Sequence, residues 1–157
     1  MNIHNGYEQL KTYYDNILNK DKTTYKTSND EPTPIGCVEE MLSKIPNNFW
    51  KNENIKILDP CCGNGNFHIV CHNLIKKNTV RDDNNIIENS LYFNDINVDR
   101  INNVKNIFNN NENKLNIFQK DFLKFEEEQK YDLIVANPPY AKISENGKRA
   151  SKNHNMI

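Results

Sequence analysis

Four short apolar runs, each closing on a polar residue, restrict this chain more than any other feature. They are 55–58 before Asp59, 91–93 before Asp95, 115–118 before Asp121, and 131–136 (YDLIVA) before Asn137. Between them lie stretches whose apolar residues recur at helical spacing. Phe67, Val70, Cys71 and Leu74 form one such face, and Ile101, Val104 and Phe108 another. Short strands alternating with helices predict an α/β fold with a mainly parallel sheet. In such sheets ligands bind outside the carboxyl ends of the strands. The polar residues sit at those ends, so Asp59, Asp95, Asp121 and Asn137 are expected on one rim. Upstream, residues 7–18 and 35–45 carry two amphipathic patterns, the second opened by Pro34 and stopped by Pro46. Residues 19–31 and 77–89 read as polar loops.

The bulk properties exclude several classes. The chain has 157 residues, enough for one domain. Its formal net charge is -1, unlike a stand-alone DNA-binding module, so any grip on nucleic acid must come from a local patch or another polypeptide. Hydrophobic residues make up only 36%, because Asn is abundant. No apolar run approaches the roughly 20 residues that span a bilayer, and the first residues lack the apolar core of a signal peptide. Cys37, Cys61, Cys62 and Cys71 form no CxxC pair, and no histidines stand at zinc-finger spacing. A soluble intracellular protein without metal is expected, and no membrane partner.

The loop DPCCGNGNF at 59–67 joins a strand to a helix through Gly63 and Gly65. Glycine permits a tight turn and close approach to a ligand. A P-loop is excluded, since no Gly-Lys-Ser/Thr follows. A dinucleotide loop wants a small residue at position 68, where His68 stands. Asp59 would also repel a pyrophosphate. A carboxylate there suits a cation, such as the ammonium of S-adenosylmethionine. Asp95 can bind both ribose hydroxyls, and Asp121 can accept from an adenine amino group. Read singly, these Asp residues could simply cap helices or open turns.

Asn137-Pro138-Pro139-Tyr140 follows the fourth strand directly. An exocyclic amino group of adenine is a poor nucleophile, because its lone pair is delocalised into the ring. Accepting hydrogen bonds from both N–H groups favours the tetrahedral nitrogen. The Asn137 side-chain oxygen and the Pro138 carbonyl can be those acceptors, held by the restricted backbone of two prolines. Tyr140 offers a face on which an extruded base can stack.

The order TP, DPCCGNGNF, FND, KDF, NPPY resembles the gamma-type N6-adenine DNA methyltransferases of restriction–modification systems. The resemblance covers about residues 30–155. It implies a Rossmann-like S-adenosylmethionine-dependent fold, of which this chain holds the first four of about seven strands plus N-terminal helices. It implies cofactor contacts from Thr33, Pro34, Asp59, Gly63, Gly65, Phe67, Asp95, Ile96, Asp121 and Phe122. Asn137, Pro138 and Tyr140 match the catalytic motif. The implied reaction moves a methyl group from S-adenosylmethionine to N6 of a flipped adenine in double-stranded DNA.

The expected divisions are an N-terminal helix and linker (1–31), a partial catalytic domain (32–140) and a polar tail (141–157). In the tail Lys142, Lys148, Arg149 and Lys152 could touch phosphates. Family members continue for about three more strands and a target-recognition domain. A truncated product or one half of a split enzyme is therefore expected, with a separate polypeptide supplying the remainder. A glutamine-N5 protein methyltransferase, an RNA guanine-N2 methyltransferase and an inactive cofactor-binding remnant stand as alternatives.

Overall fold

The computed structural model describes residues 1–23, 31–109 and 113–139. In chain order the helices and strands are α1 (Tyr7–Asn16), α2 (Ile35–Leu42), α3 (Asn47–Trp50), β1 (Ile57–Asp59), α4 (Asn66–Asn78), α5 (Asp83–Ser90), β2 (Leu91–Asn94), α6 (Val98–Phe108), β3 (Asn116–Phe118) and β4 (Leu133–Ile134). The four strands form one parallel sheet in the order β3-β2-β1-β4. Ile57 is in register with Leu91 on one side and Leu133 on the other. The chain thus winds outward from β1 through β2 to β3, then returns to β1's free edge with β4. The strand order, not the strand direction, reverses between β1 and β4, and that switch point opens a crevice at the strands' carboxyl ends.

Local chemistry explains most of the boundaries. In α2, Ile35, Val38 and Leu42 are buried at helical spacing after Pro34. The Asn97 side chain caps α6, accepting from the Asp99 and Arg100 amides. β1 is buried throughout, as a central parallel strand must be. Its neighbours α4 and β2 supply Ile69, Cys71, Ile75, Leu91 and Phe93 to the same core. Helix α1 joins that core through Leu10 and Tyr14. The Tyr14 hydroxyl donates to the Asn64 carbonyl at 2.6 Å, tying α1 to the glycine loop.

Two expectations need correction. The segment 77–89 is not a loop: α4 runs through Asn78, and α5 begins at Asp83. Asp82 caps α5 by accepting from the Asn85 amide at 2.8 Å. Only Ile86 and Ile87 bury an apolar side chain there, too few to produce a visible period. The fourth strand is also shorter than 131–136, with ladder pairing only at Leu133–Ile134. Backbone bonds extend its contact with β1 beyond the ladder, from the Asp132 amide to the Lys56 carbonyl (2.8 Å) and from the Val135 amide to the Leu58 carbonyl (3.0 Å). Among the described residues, no helix is long and apolar enough to cross a membrane.

Candidate active site

Asp59 ends β1 at the reversal point and is 1% exposed. One carboxylate oxygen accepts from the Cys61 amide at 3.2 Å. Burial pushes its pKa well above the ordinary carboxylate range, and the charge of Asp95 adds to the effect. The charged form of Asp59 is therefore disfavoured in the free protein, with the Arg100 cation on the wall of the same cavity.

The loop beyond Asp59 is held by the next strand. The Cys62 amide donates to the Asn94 carbonyl (2.8 Å), and the Gly63 amide donates to the Asp95 carboxylate (2.9 Å). Gly63 and Gly65 both adopt positive φ, 56° and 91°. They serve different ends. Gly63 lines a cavity with Asp59. At Gly65 a Cβ would sit 2.9 Å from the Phe108 ring and 3.3 Å from the Tyr14 hydroxyl, so this glycine admits α1 and α6 to the loop. Burial raises the thiol pKa of Cys62 and Cys71, which suits packing residues rather than nucleophiles.

Asp95 is 4% exposed, and its second oxygen accepts from the Asn97 amide at 2.9 Å. The buried Arg100 guanidinium lies 3.7 Å from the carboxylate. Asn94 joins two loops, donating to the carbonyls of Pro60 (2.9 Å) and Lys120 (3.1 Å) and accepting from the Lys120 amide (3.0 Å). At the end of β3, Asp121 caps a 3-10 turn through the Leu123 amide (3.0 Å). Phe122 and Ile96 are exposed at 45% and 65%, apolar faces on the same rim.

Asn137 follows β4 and is half-buried. Its side-chain amide donates to the Thr33 hydroxyl at 2.9 Å, across 104 residues of sequence. Thr33, Asp59, Gly63, Phe67 and Asn137 therefore line one cavity of about 30 Å³, with Glu31, Pro32, Cys61, Cys62, Asn66 and Arg100. Asp95 stands one hydrogen bond behind it through Gly63. Pro34, Gly65, Ile96, Asp121, Phe122 and Pro138 are not on its wall. Tyr140, Lys142, Lys148, Arg149 and Lys152 fall outside the described residues.

Sequence reasoning missed Asn66 and Arg100. Asn66 sits between Gly65 and Phe67, and a polar residue within that motif was the available signal. Arg100 had none, since Asn-Val-Asp-Arg reads as an ordinary helix start. A wider groove of about 460 Å³, lined by Glu53, Lys56, Arg81 and Asp82 among others, lies at the opposite ends of the strands. Its mixed charges and distance from the reversal point make the smaller cavity the better site.

The family model described as N-6 DNA Methylase matches residues 5–156, nearly the whole chain. The chain belongs to that family. An adenine-specific methyltransferase, BrxX, of Escherichia coli O9:H4 (strain HS) is 38% identical over 71 residues, which is 45% of this chain and 6% of the relative. Among solved structures, a modification subunit of a candidate type I restriction enzyme from Vibrio vulnificus YJ016 aligns over 89% of this chain and 30% of its own, with a TM-score of 0.65 and 22% identity. That likeness shows a shared fold. The chain spans only a small part of either protein, 6% and 30% of their lengths.

Proposed function

We propose that this chain forms the S-adenosylmethionine-binding and catalytic part of an enzyme that methylates the N6 amino group of adenine in DNA. One observation carries the reading: Asp59 and Asn137, from the two strands flanking the sheet's reversal, line a single cavity. The family match favours adenine in DNA over the glutamine and guanine alternatives.

The residues fit the cofactor chemically. S-adenosylmethionine supplies, when bound, an electrophilic methyl group on a sulfonium. Asp59 is a buried carboxylate whose charged form needs a cation, and an α-ammonium provides one. Asp95 accepts one hydrogen bond on each oxygen, from Gly63 and Asn97, and lies 3.7 Å from Arg100 behind the cavity wall, so it meets a ribose diol only once the glycine loop shifts. Ile96 and Phe122 present apolar surface for the cofactor's base, with Asp121 beside them. Gly65 shapes the glycine loop on one side of the cavity, and Pro34 closes the strap of residues 31–34 on the other. At about 30 Å³ the cavity holds little more than a water, so the strap carrying Glu31 and Thr33 must move outward for a cofactor to enter.

On the substrate side, the Asn137 oxygen and the Pro138 carbonyl accept the two hydrogens of the target amino group. Two acceptors held rigid in advance raise the rate without reorganisation at the moment of transfer. Tyr140 stacks on the base, which must leave the duplex to arrive. The tail lysines and Arg149 meet backbone phosphates. Beyond β4 the sheet edge is open among the described residues and Ile134 is 61% exposed, which favours a further polypeptide segment there.

Incubation with methyl-labelled cofactor and mixed DNA, RNA and release factor tests the reading. Label should enter adenine in DNA, and Asn137→Ala should reduce transfer by about a hundredfold or more with cofactor affinity retained. Label in release factor or RNA instead, or full transfer by Asn137→Ala, would refute it.

A further inference from the structure

The small cavity carries both signs of charge on its wall. Asp59 forms one part of that wall, and Arg100 is its one basic side chain among the described residues. Asp59 accepts from the Cys61 amide, and Arg100 stands 3.7 Å from Asp95, so the two share the wall without an ion pair between them. Glu31, the other acidic member, pairs with the Lys22 ammonium at 2.9 Å on the outside, its side chain 75% exposed. The charges left to the interior are thus a buried carboxylate and a buried guanidinium, Asp59 and Arg100, 1% and 5% exposed.

An α-amino acid suits such a wall. Its ammonium and carboxylate hang from one carbon, so a site that takes the first out of water takes the second with it. A carboxylate buried near Asp59 and Asp95 without a cation would be strongly disfavoured. Arg100 supplies that cation. It stands in the first turn of α6, where Asn97 accepts from the Asp99 and Arg100 amides and fixes the backbone. Holding Asp95 in place does not account for it, because the Gly63 and Asn97 amides already bond one Asp95 oxygen each at 2.9 Å. Nor need the guanidinium be idle beforehand. It offers five N–H donors in a fork, and an incoming carboxylate shares them with Asp95 or takes the place of another partner. We propose that Arg100 binds the α-carboxylate of the cofactor's methionine end and, with Asp59 on the ammonium, makes the cavity a clamp for an amino-acid zwitterion. This rests on the reading of the cavity as the cofactor site, and it states what that site selects.

Calorimetry with three ligands tests the clamp. S-adenosylmethionine carries both charges of the amino acid, decarboxylated S-adenosylmethionine keeps the ammonium and sulfonium but lacks the carboxylate, and methylthioadenosine keeps only the nucleoside end. The full chain is compared with Arg100→Met, which keeps the stem and removes the charge, and Arg100→Lys, which keeps a charge without the fork. Wild type should bind S-adenosylmethionine about 10- to 100-fold more tightly than the decarboxylated ligand. Arg100→Met should lose about that factor for S-adenosylmethionine alone, while its affinity for the other two changes less than about threefold, and Arg100→Lys should recover part of the loss. A wild-type chain that binds the first two ligands equally overturns the clamp, and this result needs no variant to fold. An Arg100→Met protein with undiminished affinity for S-adenosylmethionine overturns it too. So does an equal loss for all three ligands, which makes Arg100 a support for Asp95 and the nucleoside end. A wild-type chain that binds none of the three fails the cofactor reading and the clamp with it, whereas the other adverse results fail the clamp alone.

Discussion

Replacing Gly65 by alanine separates two meanings of the motif glycine. If Gly65 exists to let a cofactor approach, the free protein should tolerate a methyl group there. The structure says otherwise. At φ 91° and ψ 26° an L-residue pays about 1–2 kcal/mol for the left-handed conformation. The added Cβ would lie 2.9 Å from Phe108 Cε2, closer than carbon atoms approach, and 3.3 Å from the Tyr14 hydroxyl. Phe108 is fully buried and packs at 4.8 Å on Phe93, so its ring has no room to retreat. Overpacking of this kind costs about 1–3 kcal/mol. The two contributions together predict a loss of about 2–5 kcal/mol in the absence of any ligand, measured by urea denaturation with the slope unchanged. A second substitution, Phe108→Leu, removes the clashing ring atoms. In a double-mutant cycle it should return the steric part and leave the backbone part. A Gly65→Ala protein within about 1 kcal/mol of wild type, or a cycle with no coupling to Phe108, would refute the packing argument.

Other outcomes follow from the site and the core. His68 is fully buried against Phe93, and its Nε2–H donates to the Tyr92 carbonyl at 2.7 Å. Burial lowers its pKa to about 4, so between pH 6.5 and about 4 the unfolded chain binds a proton that the folded chain refuses. Stability should therefore fall on acidification across that window by about 3 kcal/mol, and His68→Gln should remove this part of the slope in pH-dependent melts. Asp59 has the opposite sense. Its raised pKa means the folded state holds the proton more tightly, so its contribution to stability is lost as pH rises above the ordinary carboxylate value. Asp59→Asn should melt higher than wild type at pH 8, with the gap closing toward pH 4, yet bind S-adenosylmethionine at least about tenfold more weakly by calorimetry. A variant that binds the cofactor normally removes Asp59 from the ammonium site.

The rim was legible because each of its members announces itself locally. An apolar run followed by Asp59, Asp95 or Asn137 is a strand end wherever it occurs, and parallel strands share one carboxyl side. The glycine loop was legible for the same reason, since a turn of positive φ needs glycine whatever surrounds it. Helix α5 was not, because two isoleucines make no period and Asp82 resembles any polar loop residue until its side chain meets the Asn85 amide.

Residue order alone thus determined the alternating plan, the polar strand tips and the rigid Asn-Pro-Pro turn, all of which depend on neighbours within a few positions. Only the tertiary structure decided which tips share a cavity, that Gly65 yields space to Phe108, that Asn66 reaches Thr33 and that Thr33 reaches Asn137. Those contacts join residues between 33 and 104 positions apart. They exist because β4 returns to the free edge of β1 and lays the Asn137 turn beside the strap, a consequence of strand order that no local pattern encodes.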